Sequence, residues 1–111
     1  MARVLRGGVY WAELGGTRGR EQRGRGPVLV LSQDLFNERS GTVIALAITS
    51  KEPRVGYPLV WKVPSGLLPK DSWVKISQVR TLDTERLGPR IGRLREEDLE
   101  AIVDGLLELI G

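Results

Sequence analysis

A chain of 111 residues with 41% hydrophobic and 28% charged content can build one hydrophobic core, so one globular domain over 1–111 is expected. No apolar run reaches the roughly 18–20 residues of a membrane-spanning helix, and Arg6, Gly7 and Gly8 interrupt any secretory h-region, so a cytoplasmic protein is expected. A net charge of +3 favours a polyanionic partner, while the absence of Cys and His excludes disulfides, zinc fingers and thiol or imidazole catalysis.

The first predicted element is a strand over 7–14, "GGVYWAEL", which carries Val9, Tyr10 and Trp11. Residues 15–26 hold five glycines and four arginines with no aliphatic residue and read as a loop. "PVLVLS" (27–32) reads as a strand buried on both faces. A short helical turn is expected over 33–41 and a second buried strand, "TVIALAIT", over 42–49. Two prolines and a glycine make 50–58 a long loop. A short strand follows over 59–63, then a turn-rich connection over 64–71. "SWVKISQVRTLD" (72–83) reads as a long strand with Val74, Ile76 and Gln78 on one side, and 90–94 as a short last strand.

Residues 95–111 differ from all of this. Leu99, Ile102, Val103, Leu106, Leu107 and Ile110 recur at helical spacing behind an acidic first turn, which predicts an amphipathic helix. This segment holds one Arg and six acids, whereas residues 1–94 hold 16 Lys/Arg and 8 Asp/Glu. The body is therefore far more basic than the total suggests, which points to RNA, DNA or an acidic protein segment as partner. Tyr10, Trp11, Trp61 and Trp73 read first as core, with stacking on unpaired bases as the alternative.

Three ordered blocks carry a resemblance: G-x-EQ-x-G-x-x-P-x-LVLS at 19–32, "TS" at 49–50, and "QVRTLD" at 78–83. Together with "RGGVYWAEL" they make the chain resemble the MazF/PemK family of toxin endoribonucleases from Arg6 to the final helix. The resemblance implies an α+β, mainly β fold: a small, SH3-like, curled antiparallel barrel with a C-terminal helix. It also implies a homodimer that cuts single-stranded RNA without metal or other cofactor, leaving 2′,3′-cyclic phosphate and 5′-hydroxyl ends. An antitoxin with an acidic C-terminal segment is the implied partner. The related CcdB barrel, which poisons gyrase, lacks the "EQ" and "TS" blocks.

Residue by residue, the resemblance makes Glu21 the candidate general base and Thr49 a candidate catalytic hydroxyl. The family arginine that precedes the proline is Gly26 here. Arg25 is the expected substitute, given conformational freedom by Gly24 and Gly26. The same glycine supports the other reading, a weakly active or inactive relative that binds RNA or an acidic peptide. Arg18, Arg20, Gln22, Arg23, Ser50, Lys51, Arg54, Tyr57 and Gln78 are the expected RNA contacts.

Overall fold

Strands β1 (Gly8–Glu13) and β2 (Arg25–Val30) form a hairpin in a computed structural model that describes residues 3–15 and 24–111. Helix α1 (Asp34–Ser40) and strand β3 (Thr42–Thr49) follow, then β4 (Val60–Lys62), β5 (Trp73–Asp83), β6 (Leu87–Arg93) and helix α2 (Glu96–Ile110). All pairings are antiparallel in the order β4-β5-β3-β2-β1-β6. The fold is therefore mainly β with a C-terminal helix, as expected. The sheet curls without closing, because its edges, β4 and β6, are not paired with each other.

The apolar runs behave as expected, for Val28, Leu29 and Val30 of β2 and Ala45 through Ile48 of β3 are all buried. Being buried on both faces, these central strands serve two cores. Leu29, Leu46, Ile48, Val74 and Ile76 pack under Leu99 and Ile102 of α2. Tyr10, Ala12, Leu14, Val28, Val30, Val43, Ala45 and Leu82 form the other core. A bulge in β5 makes this possible. Ile48 pairs with Val74 while Leu46 pairs with Val79, so β5 carries an odd number of extra residues there. The surplus exchanges its faces, which sends Val74 and Ile76 to one core and Leu82 to the other.

Two boundaries depart from the sequence reading. Strand β2 starts at Arg25, because Arg25 and Gly26 pair with Glu13 and Ala12 of β1. Strand β6 starts at Leu87, after a short 3-10 turn at Thr84–Arg86 capped by the Asp83 carboxylate. Gly88 and Pro89 obscured that start, but β6 is an edge strand, where a missing N–H is tolerated. No helix among the described residues is long and apolar enough to cross a membrane.

Candidate active site

The β1–β2 stem closes just below the arginine-rich loop. Leu14 N donates to Gly24 O at 2.7 Å and Gly24 N to Gly15 O at 2.9 Å, with Gly24 at φ 78°. That left-handed conformation suits glycine. From β5, the Arg80 guanidinium donates to Leu14 O at 2.9 Å, so a half-buried side chain ties the stem to the sheet. Arg86 Nη1 donates to Glu13 O at 3.4 Å. The expected base Glu21 and the expected contacts Arg18, Arg20, Gln22 and Arg23 lie outside the described residues.

At the foot of this stem lies an open cavity of about 370 Å³. Trp11, Arg25, Gly26 and Pro27 line one side of it. Ile48, Thr49, Ser50 and Lys51 line another, with Leu68, Pro69, Lys70 and Ser72 completing it. The structure thus brings together Arg25, Thr49, Ser50 and Lys51 from the expected set. Arg25, Lys51 and Lys70 put three cations around a space whose described lining includes no carboxylate, an arrangement that favours an anion.

Thr49 is buried at the end of β3, and its Oγ1 accepts the Lys51 amide hydrogen at 3.1 Å. That contact uses a lone pair and leaves the hydroxyl proton available for donation. Arg25 lies on the face of β2 that carries Pro27, and its guanidinium carbon sits 5.8 Å from the centre of the Trp11 ring. The glycine freedom invoked for Arg25 is not what directs it. Its backbone is held in the ladder opposite Glu13, and the pleat sets its direction.

The other expected contacts lie elsewhere. Arg54 is exposed in the 50–58 loop. Tyr57 donates its hydroxyl to Ala101 O of α2 at 3.1 Å and meets Trp61 edge to face. Its phenol pKa is raised by packing against α2, then by the carboxylates of Glu108 and Asp104. Gln78 lines a separate cavity at the β5 bulge with Ser77, Val79, Arg80 and Thr81. Among the aromatics, Tyr10 is core, and Trp61 packs on the core under α2 while donating Nε1–H to Asp98 Oδ1 at 3.0 Å. Lys70 was not anticipated. Only the fold carries the 64–71 connection to the end of β3, so nothing local marked this residue.

Comparison with known proteins agrees with the geometry. Endoribonuclease EndoA of Bacillus subtilis (strain 168) is 34% identical over 105 residues, covering 93% of this chain and 90% of its own length. The crystal structure of MazF (Form-I) from Deinococcus radiodurans superposes with a TM-score of 0.88 at 28% identity, covering 100% of this chain and 99% of that one. An endoribonuclease in complex with its cognate antitoxin, from Mycobacterial species, gives a TM-score of 0.77 at 26% identity, covering 100% and 96%. Residues 5–110 match the family described as PemK-like, MazF-like toxin of type II toxin-antitoxin system, and the chain belongs to that family.

Proposed function

We infer that this protein is the toxin of a toxin–antitoxin pair, an endoribonuclease that cleaves single-stranded RNA at selected sequences without a metal ion. The observation that carries the reading is the shared cavity of Arg25, Thr49, Lys51 and Lys70. It supplies cations and a hydroxyl donor where a phosphate would develop charge, and the chain aligns over nearly its whole length with a named endoribonuclease.

In the proposed step, the 2′-oxygen of a ribose attacks the adjacent phosphorus and the bond from phosphorus to the 5′-oxygen breaks. Glu21 takes the 2′-hydroxyl proton. Arg25 stabilises the phosphorane and, with Thr49, donates hydrogen bonds toward its oxygens, while the leaving 5′-oxygen takes a proton from solvent water. The products carry a 2′,3′-cyclic phosphate and a 5′-hydroxyl. Ser50, Lys51, Lys70 and the loop arginines hold the flanking phosphates.

Regulation follows from the same charge. An antitoxin segment rich in carboxylates competes for the cationic cavity, and the toxin acts as a cytoplasmic homodimer. The test is incubation of the purified protein with a long single-stranded RNA in EDTA, followed by mapping of 5′ ends and analysis of the 3′ termini. Discrete cuts with 5′-hydroxyl and cyclic phosphate ends are expected. Intact RNA at enzyme excess, with binding that weakens as salt rises, would instead identify a non-catalytic RNA-binding relative, the reading that Gly26 favours.

A further inference from the structure

We propose that Trp11 is a positioning residue for Arg25, holding the guanidinium at the wall of the cleavage cavity with room provided by Gly88. The proposal rests on the cleavage reading above. Glu13, Ala12 and Trp11 of β1 pair with Arg25, Gly26 and Pro27 of β2. Paired residues share a face and neighbours alternate. Trp11, Glu13, Arg25 and Pro27 therefore lie on one face, while Ala12, Gly26 and Val28 lie on the other.

Burial agrees with that division. Ala12, Leu14 and Val28 belong to the second core, and a Cβ at Gly26 would stand 3.8 Å from Leu14 Cδ1. An arginine at 26 would start from that side of the sheet, whereas Arg25 starts from the side of Trp11.

A long side chain on a pleated strand has many rotamers, and something must select one. Trp11 is the diagonal cross-strand neighbour of Arg25, at a separation that aromatic and long side chains span. The guanidinium lies over its ring at 5.8 Å, within cation–π range. Strand β6 closes the other side. A Cβ at Gly88 would lie 3.7 Å from Arg25 Nη2, 3.5 Å from Trp11 O and 3.6 Å from Trp11 Cβ. A methyl group is accommodated there, while a longer side chain would enter the volume the guanidinium uses.

Arg25 consequently forms a partition. It lines both the cavity with Thr49 and Lys70 and a smaller one of about 240 Å³ with Glu85, Arg86 and Gly88. The two acids that line the smaller cavity, Glu13 and Glu85, offer an alternative attraction for the guanidinium. The Trp11 ring sets the balance by keeping it at the boundary.

The test combines kinetics with a structural readout in the full-length protein. Trp11→Leu should lower kcat on a single-site RNA by about tenfold with KM little changed. Trp11→Phe should recover most of the rate. In an Arg25→Ala background Trp11→Leu should cost nothing further, because its effect runs through Arg25. By NMR, the Arg25 side-chain protons should show an upfield ring-current shift that persists in Trp11→Phe and vanishes in Trp11→Leu. Equal losses in both backgrounds, or an unshifted Arg25 in a parent that cuts RNA, would overturn the positioning role alone. A parent with the ring-current shift that cuts no RNA would remove the cleavage reading, and the positioning role with it.

Discussion

Arg25 and Gly26 are neighbours on β2 that face opposite sides of the sheet, so which of the two carries the guanidinium decides where a cation can reach. Arg25→Ala and Thr49→Ala should each slow cleavage on the order of 10²-fold in kcat, as expected for loss of one transition-state contact. Thr49→Ser keeps the hydroxyl and should retain most of the rate; single-turnover kinetics on a defined RNA would show a deficit if the methyl group mattered instead. Lys70 contributes charge to the cavity and has no ion-pair partner among the described residues. Lys70→Ala should weaken RNA binding uniformly across sequences and reduce the slope of log K against log salt by about one or less. Filter binding at several salt concentrations measures that slope. The sequence motifs made Thr49 and Arg25 candidates, whereas the place of Lys70 in the cavity depends on contacts between segments distant in the chain.

Helix α2 was legible as an element because its apolar residues recur at helical spacing and three acids fill its first turn. The sequence stripe proved longer than the buried one. Leu99 and Ile102 are buried and Val103 and Leu106 pack on the core, but Leu107 and Ile110 are 54% and 72% exposed. Leu99→Ala should therefore destabilise by about 2–5 kcal/mol and Leu107→Ala by much less, which urea denaturation would compare. Asp98 belongs to the same element. It is buried with Oδ1 on Trp61 Nε1 and Oδ2 3.6 Å from Arg95 Nε. Trp61→Phe keeps the ring but strands that carboxylate oxygen, for a loss of roughly 1–3 kcal/mol.

Tyr57 fastens the 50–58 loop to α2, and its environment has a pH signature. The raised phenol pKa means the native state holds this proton more tightly than the unfolded chain does. Its contribution is fully present below the ordinary tyrosine range and disappears as pH rises through the folded pKa. Absorbance titration should show one phenol ionising late in the native protein and losing that delay on unfolding. Tyr57→Phe should remove the late component, and a late transition that survives the substitution would overturn its assignment to Tyr57.

At the scale of the whole molecule, two cores share one twisted sheet, and charge is divided between a basic body and an acidic final segment. Long-range attraction falls within roughly one Debye length, so RNA affinity should drop steeply between low and physiological salt. Replacing Glu100, Asp104 and Glu108 with the matching amides should leave both the affinity at physiological salt and the slope from there upward unchanged, because the slope counts phosphate contacts. A change in slope would place α2 in the RNA interface.

Local patterning by itself determined the strands, the helix and the polarity of charge, because alternation and helical periodicity record which faces leave water. The motif blocks likewise offered Glu21 and Thr49 as candidates for the chemistry, with Arg25 as substitute for the arginine that is Gly26 here. What only the tertiary structure decided is pairing. The β1–β2 register makes Trp11 the neighbour of Arg25, the β5 bulge lets even-numbered residues serve both cores, and the 64–71 connection brings Lys70 beside Thr49. Each depends on which distant segments meet, a choice made by the burial of the whole sheet and one that no local window of the chain records.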